Sequence, residues 1–156
     1  IESCASKIST TQQRLGKPDK LLFSFHGIPQ SYICEDEPYQ TQCLVTASLI
    51  AKKLNLQESQ YEVAFQSRFG KAEWIKPYLS SRLQELPKEG IHNIHVFCPG
   101  FSSDCLETID EIGRESKEEF FEHGGKSFEF IPCLNSEESF INALMDIQKK
   151  ADIKIL

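Results

Sequence analysis

The sequence predicts an α/β domain built on a four-stranded parallel sheet with helices on both faces. Three observations carry this. Short apolar runs alternate with longer segments whose apolar residues recur at helical spacing, in the order (α)βαβαβαβα. Strands separated in this way by helices pair in one direction through right-handed crossovers. A length of 156 residues suits one domain with a real core and is short for two.

Taken in order, Ile1–Leu15 is a helix candidate, and Lys20–Phe25 (KLLFSF) is a mostly apolar strand that runs into His26-Gly27-Ile28-Pro29. Tyr39–Leu54 carries a helical stripe of Tyr39, Cys43, Leu44, Ala47, Ile50, Ala51 and Leu54. Tyr61–Gln66 (YEVAFQ) is the second strand. Ser80–Leu86 is a helix, with Leu79, Leu83 and Leu86 at its spacing and Gly90 as a stop. Asn93–Cys98 (NIHVFC) is the third strand. Asp104–Phe121 is expected to form one helix with Leu106, Ile109, Ile112, Phe120 and Phe121 inward. Ser127–Ile131 (SFEFI) is the fourth strand, and Glu137–Lys149 the final helix.

Composition narrows the function. Apolar residues make up 40% and charged residues 26%, an ordinary globular profile, and a net charge of −6 argues against a nucleic-acid binder, which needs a basic face. No apolar run approaches a membrane span and no signal peptide is visible, so a cytoplasmic protein is expected, with peripheral membrane contact left open. The chain starts Ile1-Glu2-Ser3 without an initiator Met, which suggests a fragment or processed product. The cysteines at 4, 34, 43, 98, 105 and 133 form no C-x-x-C and no zinc-finger spacing. They read as reduced packing thiols or, for Cys105, a pocket wall.

In a doubly wound sheet, ligands bind beyond the carboxyl ends of the strands, at the point where strand order reverses. Here each strand is followed by unusual residues: Ser24 to Pro29, Gln66-Ser67-Arg68-Phe69-Gly70, Pro99-Gly100-Phe101-Ser102-Ser103-Asp104, and Pro132-Cys133-Leu134-Asn135. All four segments should share one rim. His26 could accept a proton or bind a divalent metal there, or simply hydrogen-bond a turn. Glu107, Glu111 and Glu115 recur every four residues, with Asp104 one turn earlier. Mutual repulsion raises the pKa of some members of such a row, which suits proton relay, and the row could also lead a hard cation inward. The alternatives are a solvated outer face or, for Asp104 and Glu107, an N-cap and its capping-box partner. Ser67 and Arg68 could bind a carboxylate, and Phe69, Trp74 and Phe101 could flank a flat apolar ligand or belong to the core. His92 and His95 read as structural, and His123-Gly124-Gly125 as a helix exit. No nucleotide-binding glycine motif and no G-x-S-x-G is present.

Four stretches in order resemble the ferrochelatase family: Leu21 to Gln30, Phe65 to Gly70 with Trp74, Cys98 to Ile109, and Ile131 to Asn135. The similarity runs over nearly all of residues 15–150. It is closest to proteobacterial members, because Cys105 stands where many relatives have His. The resemblance implies a Rossmann-like, chelatase-type three-layer domain, with residues 1–156 forming the C-terminal chelatase domain and an N-terminal half, absent from this chain, closing the porphyrin cleft. It implies insertion of ferrous iron into protoporphyrin IX to make protohaem, the terminal step of haem biosynthesis. It implies His26 and Glu107 as the catalytic pair and as metal ligands, Glu111 and Glu115 as the polar path for metal, Ser67 near a propionate, and Trp74, Phe101 and Cys105 lining the pocket. Two departures stand out. The family's usual glycine is missing around Glu35–Tyr39, where Pro38 appears. No cysteine follows Cys133, so no [2Fe–2S] cluster and no other cofactor is expected, iron being a substrate. The rival readings are a cobalt- or sirohydrochlorin-type chelatase, against which the Ser-Arg-Phe-Gly and Pro-Gly-Phe segments argue, and a flavodoxin-like module that holds tetrapyrrole without metallating it.

Overall fold

The computed structural model describes residues 1–34 and 37–152. The loop departure expected at Glu35–Tyr39 thus falls partly, at Glu35 and Asp36, outside the described residues. The element order is α1 (Glu2–Leu15), β1 (Lys20–His26), α2 (Tyr39–Lys53), β2 (Tyr61–Gln66), α3 (Leu79–Glu85), β3 (Asn93–Phe97), α4 (Leu106–Ile109), a π-helical turn (Glu111–Ser116), α5 (Lys117–Glu122), β4 (Ser127–Ile131) and α6 (Glu138–Asp152). The sheet runs β2-β1-β3-β4 with every ladder parallel. With β2 on one side of β1 and β3 on the other, the topological switch lies between the ends of β1 and β3.

Strand alternation divides the core into two layers. Leu21, Phe23 and Phe25 of β1 pack with Ile8 of α1 and Cys43, Ala47 and Ile50 of α2. Leu22 of β1 and Ile94 and Val96 of β3 pack on the other face with Leu79 and Leu83 of α3, Ile112 and Phe120. His95 falls on the first face, 3% exposed, with Nδ1 unpartnered. Burial lowers its pKa, which favours the neutral ring.

Four expectations are corrected. The segment Asp104–Phe121 is not one helix. At Asp110 the carbonyl accepts from the Arg114 amide at 3.0 Å and from the Glu115 amide at 2.9 Å, so one residue is inserted and the turn widens. Of its five residues expected inward, Ile112 and Phe120 are buried, while Leu106 and Ile109 are 73% and 60% exposed and Phe121 is also exposed. The reason is position: α4 stands beyond the strand ends, where no layer covers it. Leu44 likewise points outward from α2, beside Val45 and Leu49, and Cys34 is exposed and not a packing thiol. Among the described residues no helix is long and apolar enough to cross a membrane.

Candidate active site

His26 ends β1 beside the topological switch. Its Nδ1 lies 2.6 Å from the Gly27 carbonyl, which can only accept, so Nδ1 carries the proton and Nε2 of the neutral ring keeps its lone pair. The Tyr39 hydroxyl, whose pKa burial pushes up, donates to the His26 main-chain oxygen at 2.7 Å. A Cβ on Gly27 would stand 3.0 Å from the Gln66 carbonyl and 3.1 Å from the Trp74 ring. The glycine therefore lets the loop after β1 lie flat against β2 and the indole.

The imidazole sits between two aromatic rings, 6.3 Å from Trp74 and 6.5 Å from Phe101, centroid to centroid. It opens onto a cleft of about 470 Å³ walled by Ile28, Pro29, Tyr32, Phe69 and Trp74. Trp74 answers both sequence readings at once: it is only 4% exposed, yet its ring forms part of that wall, held by an Nε1–H bond to the Phe69 carbonyl at 3.1 Å. Phe69 itself is 73% exposed and packs on Trp74 at 5.0 Å. A mostly apolar wall with one imidazole suits a flat apolar ligand.

Across Phe69 lies a second trough of about 400 Å³ walled by Ser67, Arg68, Leu106, Glu107, Asp110, Glu111 and Glu115. The expected capping box is shifted. The N-cap of α4 is Cys105, whose amide donates to Thr108 Oγ1 at 2.9 Å, so Glu107 holds the second helical position and not the box position. Asp104 is drawn off to tie the β3 and β4 loops together. Its carboxylate accepts from the Cys133 amide at 3.0 Å, Asn135 Nδ2 at 2.7 Å and Thr108 Oγ1 at 3.2 Å. Burial pushes the Asp104 pKa up, but these donors outweigh it and hold the carboxyl below its ordinary value. A lowered folded-state pKa contributes stability above the unfolded value, lost as pH falls through the folded one. Asp104→Asn should therefore cost about 2 kcal/mol at pH 7, and urea unfolding near pH 3 should show a narrower gap. A gap equal at both pH values would remove the charge from this account.

Glu107 is held ionised. Its own amide and the Cys105 thiol lower its pKa, weak desolvation opposes them, and a charge on His26 would lower it further. His26 lines the cleft on one side of Phe69 and Glu107 the trough on the other, so both stand on the same rim. Glu111 is bound differently: it accepts from the Ser67 amide and from Ser67 Oγ, each at 2.6 Å. Ser67 adopts φ 64°, which turns both donors toward the acid. Repulsion in the acidic row is offset by Arg114, which pairs with Asp110 and, at 3.0 Å, with Glu115. Arg68 stacks over Tyr78 at 4.5 Å.

Cys105 is half-buried at the start of α4, facing Glu107. Beneath it burial pushes Cys133 up to about 12, helped by Asp104, and Cys98 well above its ordinary value, so both remain neutral thiols. Among the described residues no three His, Cys, Asp or Glu side chains converge tightly enough to cage a metal ion. His26, Glu107, Glu111 and Glu115 are instead strung along the rim. Three contributors escaped the sequence reading: Tyr39, Gln66 and the Asp104–Asn135 pair. Gln66 and Asn135 were in view as strand-end residues, but nothing in their spacing showed what they touch.

The ferrochelatase family profile matches residues 1–152. The chain is 52% identical over 147 residues to a ferrochelatase of Janthinobacterium sp. (strain Marseille) and 46% identical over 147 residues to one of Idiomarina loihiensis, covering 94% of this chain and 40% of each relative. A ferrochelatase of Pseudoalteromonas atlantica is 43% identical over 150 residues, 96% of this chain and 42% of its own. The chain thus spans about two fifths of the length of these relatives. A crystal structure of a CbiX-type cobalamin (vitamin B12) biosynthesis protein from Marinobacter aquaeolei superposes with a TM-score of 0.58 at 13% identity, over 88% of this chain and 99% of that one, a likeness of fold. By profile and by identity alike, the chain belongs to the ferrochelatase family.

Proposed function

We propose that the full-length protein of which this chain is part inserts ferrous iron into protoporphyrin IX, the last step of haem synthesis, in the cytoplasm and without a resident cofactor. The observation that carries this reading is the imidazole of His26, set between Trp74 and Phe101 with Nδ1 turned to the Gly27 carbonyl, which leaves Nε2 as the lone-pair nitrogen of the neutral ring, and with Glu107 lining the trough across Phe69. A porphyrin against the aromatic wall would bring its ring centre to those two groups. Two pyrrole protons must leave and one dication must enter. His26 Nε2 accepts a proton or ligates the metal, Glu107 relays protons or holds the cation, and Glu111 and Glu115 line the polar approach. Metal needs a path here and not a cage, because it must leave with the product. A buckled macrocycle exposes its nitrogen lone pairs, so the site should favour that shape over a flat one.

Ser67 would receive a propionate. Its amide and hydroxyl already serve Glu111, so the propionate would compete with that acid for both donors. The remaining wall of the cleft and further propionate contacts would come from the N-terminal half of the protein.

The test is metallation of protoporphyrin by ferrous iron, followed by absorbance, with the full-length protein and this chain side by side. The full-length protein should turn over. The chain alone should run at least about tenfold slower, because half a cleft orients porphyrin poorly. An inactive full-length protein refutes the reading. An equally active chain refutes the need for a second wall.

A further inference from the structure

We propose that Gln66 is a positioning residue that sets both Glu107 and Glu111 for the reaction proposed above, on which this inference rests. Gln66 closes β2 and is 3% exposed. Its Oε1 accepts from Ser24 Oγ at 2.7 Å and from Cys98 Sγ at 3.4 Å. Its Nε2 donates to the Glu107 main-chain oxygen at 2.8 Å and faces Glu111 Oε2 and Ser67 Oγ, each at 3.5 Å. The amide's orientation follows from chemistry. A hydroxyl and a thiol offer hydrogens on one side, while a carbonyl and a carboxylate can only accept on the other. A flipped amide would set oxygen against oxygen toward the acids.

One buried side chain thereby ties β1 and β3 to the segment that carries the acids. Ser24 and Cys98 are both fully buried, so the anchored end of the amide is dry and its bonds are strong and rigid. The free end holds Glu107 through its main chain from outside the helix, just ahead of the π-helical turn. The tilt of α4, and with it the place of the Glu107 carboxylate on the rim, depends on that bond. An amide also suits the position better than the alternatives. A cation would neutralise Glu111, as Arg114 does Asp110, and a carboxylate would repel it. Gln66 is not on the apolar wall where porphyrin is proposed to lie, so it acts through the two acids.

The experiment uses the full-length protein and steady-state metallation, with ferrous iron and protoporphyrin varied in turn. Gln66→Met keeps length and removes every hydrogen bond. It should lower kcat by about tenfold or more and raise KM for iron by about threefold or more, with KM for porphyrin within about twofold. Ser24→Ala frees the anchored end and should show the same split at smaller size. If the role is only to hold the fold together, the thermal midpoint falls while kcat per folded molecule and both KM values stay at wild-type levels, and that result overturns the proposal. Should Gln66→Met fail to fold, Ser24→Ala decides, because it removes a single buried atom: unchanged kcat and unchanged KM for iron overturn it. A wild-type protein without turnover would refute the metallation reading and this role with it, whereas an active wild type with unaffected variants overturns the role of Gln66 alone.

Discussion

Alanine at position 26 should leave the full-length protein folded and able to bind porphyrin, and should lower its turnover by about three orders of magnitude, within the range for general acid–base groups. The cleft beside His26 is walled by aromatic and aliphatic side chains, with Tyr32 and Lys71 as its only other titratable groups among the described residues and no carboxylate. No neighbour on that wall offers a second neutral base. Porphyrin binding should persist because the Trp74, Phe69 and Phe101 surfaces do not depend on the imidazole. The stability cost should be small, since the ring is half-exposed and its one hydrogen bond goes to the adjacent carbonyl. Comparing cations separates the two roles. If Nε2 takes a pyrrole proton, His26→Ala loses similar factors with ferrous and zinc ions, because the same protons leave in both cases. If Nε2 ligates the metal, the loss follows each cation's preference for imidazole and differs between them. Turnover within tenfold of wild type, with porphyrin still bound, would remove His26 from the chemistry.

The sheet was legible because its signals are local. Tyr61–Gln66 and Ser127–Ile131 are bounded as the apolar runs predict, and the other two strands differ by a single residue at the C-terminal end. The rim followed from topology, because a parallel sheet with helical crossovers has one place where its loops gather. The segment after β3 was less legible, and for physical reasons. A four-residue spacing of acids assumes a regular helix, but one inserted residue at Asp110 breaks the period between Glu111 and Glu115. Apolar residues there look inward-facing to a periodicity argument, and Leu106 shows that an element standing beyond the sheet need not bury them. The role of Asp104 could not be read at all, since its partners Cys133 and Asn135 lie about thirty positions away and meet it only through the fold. Side chains that set the positions of others, such as Gln66 and Tyr39, are hidden in the same way: residue type shows what each can bond, and only the folded chain shows to what.

Glu107→Gln carries the second large effect, and the structure sharpens what it tests. The capping alternative predicted a mild variant, because glutamine can also reach back to an N-cap amide. With Cys105 as the cap and Thr108 as the box partner, Glu107 has no such duty, and its carboxylate faces the trough. Its lowered pKa follows chiefly from its own amide and the Cys105 thiol. A carboxyl held below its ordinary value is ionised throughout the neutral range, so it is suited to hold a dication, and as a weak base it readily passes on any proton it accepts. Glutamine keeps the shape and removes that charge. Turnover of the full-length protein should fall by about two orders of magnitude or more. KM for porphyrin should change by less than about twofold, because the group is proposed to act at the ring centre and lies off the apolar wall. The thermal midpoint should move by no more than about 3 °C, a surface-like change. Glu111→Gln should be intermediate, since its neighbours in the row can partly take over while the Ser67 loop loses an ionic acceptor. The ordering of the two variants is the decisive measurement. Glu107→Gln near wild-type turnover in a folded protein, with Glu111→Gln the more damaged, would move the acidic partner of His26 one turn along the helix, to the carboxylate that Ser67 now holds.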